Sequence, residues 1–248
     1  MEKEAKENNN EINDIIIEKL PKNCSVYDKS IKIILLGDSG VGKTSLLNCL
    51  EPNDIDLNQK KTISLEYFNY IIKANNNIIR MQIWDTVGHE KFNSIISNYY
   101  KTTDVAIFMY SIDNIESFNN INNWFNELND KGNNDNNNNI KTIKILLGNK
   151  NDLEKERKVT YEMGEKLKNE KNFYFFQEIN CSYKNKEEND LVQNLFFEIG
   201  KIVYKEYIFT KMERVNSSVY NYEASNSILA TSDSQTNTTN KKHKSCFC

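Results

Sequence analysis

Six short stretches of the chain are apolar or alternate between apolar and polar residues, which predicts β-strands. The strand-like stretches are residues 31–36, 65–72, 78–84, 105–110, 143–147 and 173–176. Apolar residues recur at helical spacing in the segments 43–50, 90–100, 115–128, 161–169 and 190–207. The second and third strands follow each other closely enough to form a hairpin, and after them strands and helices alternate. This order predicts an α/β domain with a mostly parallel six-stranded sheet and helices on both faces.

The regular pattern covers only part of the chain. Residues 1–30 are acidic and rich in asparagine without a sustained period, which predicts a flexible N-terminal extension. One domain is expected over residues 31–208, and its asparagine-rich insertion at about 131–140 is typical of tolerated loop expansion. Residues 209–248 are rich in Ser, Thr and Asn, which predicts a flexible tail.

The composition argues against several classes of function. The 248 residues carry a net charge of -3, so the balance of charge does not indicate a nucleic-acid partner. Five cysteines show neither metal-ligand nor paired-disulfide spacing, which favours a reducing, cytosolic setting. The apolar stretch 12–20 is too short and too charged for a signal peptide or a transmembrane helix, and neither is expected.

The strongest chemical signal is the octet GDSGVGKT at residues 37–44, which fits the phosphate-binding pattern G-x-x-x-x-G-K-[ST]. It follows a β-branched apolar strand and precedes a helix, so consecutive backbone N–H groups can hold a chain of phosphates. Glycine at Gly37, Gly40 and Gly42 removes side chains that would block the phosphates or forbid positive φ.

Two side chains of the octet supply the remaining chemistry. Lys43 brings a positive charge to the β- and γ-phosphates, and the Thr44 hydroxyl can bind Mg²⁺. The residues predicted to bind the phosphate side of a nucleotide are Asp38, Ser39, Gly40, Val41, Gly42, Lys43, Thr44 and Ser45.

A second motif, Asn149-Lys150-Asn151-Asp152, follows the fifth predicted strand. The Asp152 carboxylate can accept two hydrogen bonds, one from N1–H and one from the exocyclic amine of guanine. Adenine offers no such pair of donors, and losing a satisfied polar pair lowers affinity. Asn149, Lys150 and Asp152 are therefore predicted to bind guanine.

Taken together, these motifs resemble the Rab branch of the Ras-like small GTPases, from about residue 31 to residue 207. The segment MQIWDTVGHEKF at 81–92 is similar to the family's L-Q-I-W-D-T-A-G-Q-E-R-F. The pieces at 98–101, 116–124 and 146–153 are similar to Rab sequences almost residue for residue. The resemblance implies a small G domain of the P-loop NTPase type that binds GTP or GDP with Mg²⁺.

The resemblance also implies a role for individual residues. Thr44 and Thr62 would hold Mg²⁺, the latter only when a γ-phosphate is present, and Asp85 would hold the ion's shell through water. The Gly88 N–H would sense the γ-phosphate, so that two loops become ordered or relax with its presence or loss. The implied catalytic residues are Lys43, Gly88 and His89.

Three aromatic residues match the triad with which Rab proteins present a surface to effectors: Tyr67, Trp84 and Tyr99. Ile63 stands beside them at the family's first switch. Ordinary packing on half-buried strands explains such a triad equally well, because aromatic residues are common there.

The motif that backs the guanine has two possible registers. The preferred register assigns it to Ser182, Tyr183 and Lys184, because a backbone N–H performs the recognition and tolerates tyrosine in place of the family's alanine. A shifted register places Cys181 at the small position instead.

The chain departs from its family beside the γ-phosphate. His89 replaces the glutamine that orients the attacking water, and Val87 replaces a small alanine. Phosphoryl transfer depends on positioning, so we expect slow intrinsic hydrolysis, although a histidine can also position or deprotonate water. Ser39 is small enough to leave room for an arginine from an activating protein.

A further departure from the family concerns the guanine. Ile55 replaces an aromatic residue that lies against the base, which predicts faster GDP release.

The chain ends in Cys246-Phe247-Cys248, which resembles the Rab ending that receives two geranylgeranyl groups. One lipid gives only marginal binding, whereas two signals anchor a protein stably at a membrane. The lysines just upstream would add attraction to an anionic cytosolic leaflet. The family further implies effectors, an exchange factor, a GTPase-activating protein, a GDP-dissociation inhibitor and a prenylation escort protein.

Three functions fit these observations to different degrees. The leading one is a GTP/GDP-switched, membrane-tethered regulator of vesicle traffic on the cytoplasmic face of an endomembrane. A non-hydrolysing GTP-binding adaptor, kept in its active state by His89 and Val87, is the second. An adenine-nucleotide P-loop enzyme is a distant third, because Asn149 and Asp152 argue for guanine.

Overall fold

The computed structural model of the chain describes residues 15–50, 66–85, 100–132, 142–181 and 189–206. Its strands are β1 (Ile17–Leu20), β2 (Lys29–Leu36), β3 (Glu66–Ala74), β4 (Asn77–Asp85), β5 (Val105–Ser111), β6 (Ile143–Asn149) and β7 (Phe175–Glu178). Its helices are α1 (Lys43–Leu50), α2 (Ile115–Asn119), α3 (Ile121–Gly132), α4 (Tyr161–Lys171) and α5 (residues 189–201), with a 3-10 turn at Glu154–Glu156. These elements belong to one compact unit, Met1–Lys201. Residues 202–206 are helical and are the described part of a second unit, Ile202–Cys248.

The seven strands form one sheet in the order β1-β3-β4-β2-β5-β6-β7. Strands β4, β2, β5, β6 and β7 pair in parallel, whereas β3 pairs antiparallel with both β4 and β1. The expected α/β class and mostly parallel sheet are therefore confirmed. Because the parallel strands share a direction, their carboxyl ends meet at one edge of the sheet. This applies to β2, β4, β5, β6 and β7, and ligands bind at that edge in open α/β sheets.

Strand β1 was not predicted, and the expectation of a flexible segment is wrong for residues 17–20. Ile17 pairs with Ala74 and Leu20 with Ile71, so β1 extends the edge of the sheet beyond β3. The next residue, Pro21, has no N–H to donate and the ladder ends before it. The stability of such a short strand comes from pairing with β3, which periodicity within 1–30 does not reveal. Strand β2 also begins earlier than predicted, at Lys29.

The interior of the domain lies around the central parallel strands. All seven residues of β5 are buried, as expected for a strand covered on both faces. A large apolar cluster includes Ile34, Phe108 and Tyr110 from the sheet, with Ile121 and Leu128 from α3. This packing holds α3 against the sheet.

Two predicted elements have different bounds in the structure. The single helix expected over 115–128 is interrupted at Asn120, which separates α2 from α3. The last predicted strand begins at Phe175 rather than at residue 173, because Phe173 N–H still bonds to the Lys168 carbonyl at the end of α4. Asn172, in the left-handed region at φ 55, ends that helix.

Some expected elements fall outside the described residues: most of the helix predicted at 90–100, most of the asparagine-rich loop, and the C-terminal tail. The domain bounds 31–208 and 209–248 accordingly stay predictions. Within the described ranges, no helix has both the length and the apolar character needed to cross a bilayer.

Candidate functional site

The phosphate loop joins the end of β2 to the start of α1. Its three glycines have positive φ: 147 at Gly37, 82 at Gly40 and 105 at Gly42. A Cβ on Gly37 would lie 2.2 Å from the Met109 carbonyl oxygen, and one on Gly42 would lie 2.0 Å from Asn149 Nδ2. Both the backbone conformation and the close neighbours therefore require glycine, as the motif predicts.

The Lys43 ammonium lies inside this loop. Its Nζ donates to the carbonyl oxygens of Gly37 at 2.7 Å and Asp38 at 2.8 Å, and the residue is 6% exposed. Burial lowers the pKa of Lys43 to about 8, and the nearby carboxylates of Asp85 and Asp38 oppose that shift. The loop thus presents a desolvated positive charge at its centre, where a phosphate would stabilise the charged form.

Thr44 and Asp85 meet across two elements. The Thr44 hydroxyl, in the first turn of α1, donates to Asp85 Oδ2 at 2.6 Å. Asp85 is the last residue of β4 and is 3% exposed, and it lies next to Leu35 in the sheet register. A hydroxyl and a carboxylate are thereby placed together beside the phosphate loop.

Asn149 connects the phosphate loop to two other segments. Its Nδ2 donates to the Val41 carbonyl at 2.8 Å, and its Oδ1 accepts from the Cys181 N–H at 3.1 Å. Asn149 ends β6 and is 2% exposed. One buried side chain therefore ties together the phosphate loop, the Asn149–Asp152 motif and the segment that follows β7.

The rest of that motif is more open to solvent. Lys150 has φ 66, in the left-handed region, and its Nζ lies 3.8 Å from Asp113 Oδ1. A hydrogen bond from the Ser111 hydroxyl is the main cause that lowers the pKa of Asp113. The Asp152 side chain is exposed, while the backbone before it is held by a bond from the Asn151 N–H to the Ile179 carbonyl at 3.2 Å.

The other predicted phosphate-side residues lie around the loop. Gly37 and Val41 are buried, Asp38 and Ser45 are half-buried, and Ser39 and Gly40 are exposed. The structure brings Lys43, Thr44, Asp85 and Asn149 to one edge of the sheet.

One connection of the loop was missed in the sequence analysis. Both carboxylate oxygens of Asp38 accept hydrogen bonds, Oδ2 from Asn120 Nδ2 at 2.8 Å and Oδ1 from Trp124 Nε1 at 2.9 Å. No local motif predicts these partners, because they lie 82 and 86 residues away from Asp38 in the chain.

Two members of the predicted aromatic surface are described. Tyr67 and Trp84 pair across β3 and β4, with ring centroids 4.9 Å apart and planes inclined by 34°. Tyr67 is 52% exposed and Trp84 is half-buried. The pair offers an aromatic patch on the hairpin, but its use by effectors stays a prediction.

Many predicted site residues lie outside the described residues and stay predictions. They are Ile55, Thr62, Ile63, Val87, Gly88, His89, Tyr99, Ser182, Tyr183, Lys184, Cys246 and Cys248.

Comparison with known proteins decides the family. A family model described as the Ras family matches residues 32–205. The chain is 32% identical over 178 residues to the Ras-related protein Rab-11B of Dictyostelium discoideum, covering 71% of this chain and 78% of that protein. It is 34% identical to Ras-related protein Rab11B of Nicotiana tabacum (72% and 77% covered) and 33% identical to Ras-related protein Rab-13 of Mesocricetus auratus (71% and 85% covered).

The chain belongs to the Rab branch of the Ras family of small GTPases. This confirms the resemblance inferred from the motifs. The chain is accordingly a small GTPase that binds guanine nucleotides, hydrolyses GTP and regulates vesicle traffic with the regulators and effectors typical of the family. Neither the non-hydrolysing adaptor nor the adenine-nucleotide enzyme is favoured by these relatives.

Proposed function

We propose that this Rab-like GTPase is a Mg²⁺-dependent, membrane-tethered switch that hydrolyses GTP slowly without a partner. The observation that carries the proposal is the position of Asn149, which bonds both to the phosphate loop and to the segment after β7. A side chain that joins these segments can fix the position of the phosphate-binding loop relative to the segments that bind the base. The Lys43 charge inside the same loop supports the phosphate end of this assignment.

At the base end, Asp152 accepts from the N1–H and the exocyclic amine of guanine, and its exposed side chain is accessible for this role. The Cys181 N–H already donates to Asn149. This supports the register in which Ser182, Tyr183 or Lys184 supplies the N–H that backs the guanine.

The residues around Thr44 suit a magnesium ion. Mg²⁺ prefers oxygen ligands, and the Thr44 hydroxyl and Asp85 carboxylate lie within hydrogen-bond distance of each other next to the phosphate loop. Thr44 would bind the ion directly and Asp85 through water, with Thr62 joining when a γ-phosphate is present. When bound, the ion neutralises charge on the β- and γ-phosphate oxygens. Lys43 would orient these same phosphates through its charge.

Slow hydrolysis follows from the two replacements beside the γ-phosphate, His89 and Val87. Histidine does not place a side-chain amide against the attacking water, and valine narrows the space that the family keeps for it. Activating proteins of Rab GTPases often supply an arginine and a glutamine themselves, so stimulated hydrolysis survives. Ser39 is exposed and small, which leaves room for such an arginine.

Single-turnover GTP hydrolysis of the purified full chain tests this proposal. The double substitution His89→Gln and Val87→Ala should accelerate intrinsic hydrolysis at least about threefold, because water positioning controls the rate. An unchanged rate would refute the slow-hydrolysis claim. A panel of Rab-activating domains should accelerate GTP hydrolysis by the unaltered chain. Removal of Mg²⁺ with EDTA should abolish hydrolysis, because the proposed reaction depends on that ion.

The membrane part of the proposal rests on Cys246 and Cys248 as sites of double geranylgeranylation. A prenylation escort protein and a GDP-dissociation inhibitor would then handle the lipidated chain, and an exchange factor would load GTP. We place the chain on the cytoplasmic face of an endomembrane. Replacing both cysteines with serine should release it from membranes in a fractionation experiment, while GDP binding stays unchanged.

A further inference from the structure

The junction between α2 and α3 contacts the phosphate loop through one residue, Asp38. Asn120 lies at the interruption between the two helices, and Trp124 lies one turn further along α3. Their Nδ2 and Nε1 atoms donate to different oxygens of the Asp38 carboxylate, at 2.8 Å and 2.9 Å. With one donor on each oxygen, the carboxylate cannot rotate freely.

The same residue holds Lys43 through its backbone. The Asp38 carbonyl oxygen accepts from Lys43 Nζ at 2.8 Å, beside the Gly37 carbonyl at 2.7 Å. The side chain of Asp38 thus faces α3 while its main chain faces the ammonium that receives the phosphates. A displacement of Asp38 would move a carbonyl that positions Lys43.

Charge gives this arrangement a second consequence. A carboxylate in a loop that binds phosphates repels them if it turns toward the ligand, and in a site of low dielectric this repulsion is strong. The indole and amide donors hold the Asp38 charge on the α3 side of the loop. A hydrogen bond from Asn123 Nδ2 to Asn120 Oδ1 at 3.2 Å supports the orientation of the amide.

We propose that Asn120 and Trp124 are positioning residues for the bound nucleotide, which act through Asp38 to retain GDP and GTP in the phosphate loop. The proposal rests on the role assigned to Lys43 above and adds two residues on a different part of the chain. Asn120 is half-buried and reaches the loop from the point where α2 ends.

Dissociation of fluorescent GDP from the full chain, at fixed Mg²⁺, tests the proposal. Trp124→Phe keeps most of the aromatic volume but removes the donor, and Asn120→Ala removes the other donor. Each should accelerate GDP release about tenfold, since a hydrogen bond to a charged group is lost. Asn122→Ala is the matched control on the same helix, because Asn122 bonds only to the Asn119 carbonyl among the contacts found for its side chain. It should change the rate less than about twofold.

A purely structural role of the two residues would give a different result in a double-mutant cycle. If they act through Asp38, adding Trp124→Phe to Asp38→Ala should not accelerate release further. Multiplicative effects of the two substitutions, or single-variant rates within twofold of the unaltered chain, would overturn the proposal. Thermal unfolding measured alongside separates loss of fold from loss of retention, and Asn120→Ala remains informative if Trp124→Phe does not fold.

Tryptophan emission supplies an independent readout, because the chain has 2 tryptophans. In a Trp84→Phe background, the emission of Trp124 should change when GDP leaves, and Asp38→Ala should abolish that change. An emission insensitive to GDP would count against the proposal. Failure of the unaltered chain to bind GDP would instead refute the proposed function, so the two failures are distinguishable.

Discussion

The phosphate loop and the exposed end of the Asn149–Asp152 motif lie at the same edge of the sheet but are held in different ways. Lys43, Asp85 and Asn149 are each at most 6% exposed; Lys43 bonds to carbonyls within the loop, and Asp85 and Asn149 bond to other segments of the protein. Asp152 is exposed and carries no such contacts among those found for the described residues. The phosphate loop is therefore held by internal contacts of the fold, whereas the proposed base side has fewer such contacts among the described residues.

The two regions should therefore respond differently to substitution. Changes on the phosphate side remove internal hydrogen bonds or create clashes, so they lower the free energy of unfolding even without nucleotide. At Asp152, in contrast, we expect a substitution to leave the fold intact and to alter the affinity and choice of base that are proposed for this residue. Three experiments can break or sharpen this distinction.

The largest effect is expected from Gly42→Ala. The new Cβ would lie 2.0 Å from Asn149 Nδ2, and φ at this position is 105, so strain and overlap add. We expect a loss of about 4 kcal/mol in the free energy of unfolding, measured by urea denaturation of the nucleotide-free chain. Gly40→Ala is the matched control, because φ is 82 but no atom lies within 4 Å of the added Cβ. Gly40→Ala should lower the free energy of unfolding by about 1 kcal/mol. Equal losses would show that contact with Asn149 does not matter.

A smaller loss is expected from Asn149→Ala, which removes the bonds to the Val41 carbonyl and the Cys181 N–H. Two buried hydrogen bonds of this kind correspond to about 3 kcal/mol of unfolding free energy. Asp152→Ala should change that free energy by less than about 0.5 kcal/mol, as is usual for an exposed side chain. It should instead abolish the preference for GDP over IDP, since inosine lacks the exocyclic amine. A comparable loss of stability in both variants would contradict the division between the two regions.

The smallest effect concerns pH. Burial lowers the pKa of Lys43 to about 8 in the protein, against 10.5 for an unperturbed lysine. Phosphates favour the charged form, so above pH 8 GDP binding must take up a proton, and GDP affinity should fall about tenfold per pH unit. The stability of the nucleotide-free protein changes in the opposite direction. Because the pKa of Lys43 is depressed, its charged form lowers the free energy of unfolding below pH 8, and this loss is relieved as the pH rises toward 10.5.

Binding titrations between pH 7 and 9 measure this dependence. Lys43→Arg is the control, because a guanidinium stays charged throughout the range and removes the proton uptake. Its affinity should be lower but nearly independent of pH. The same slope in both proteins would mean that a group other than Lys43 titrates.

Much of the fold followed from local pattern. Strand β5 and helix α4 were predicted within one or two residues of their observed ends, because apolar periodicity reports burial directly. Strand β1 was missed because its stability comes from pairing with Ile71–Ala74, more than fifty residues away along the chain. The break at Asn120 was missed because α2 and α3 share one continuous helical pattern in the sequence.

The sequence by itself determined the chemistry of this protein. The octet at residues 37–44 and the motif from Asn149 to Asp152 are runs of neighbouring residues, so their functional groups can be read from the sequence without knowledge of the rest of the chain. Only the tertiary structure decided how these parts are joined. The contacts of Asn149 with Val41, and of Asp38 with Asn120 and Trp124, span 108, 82 and 86 residues. Such partners are selected by which strand ends and helix faces meet at one edge of the sheet, and that is a property of the packed fold.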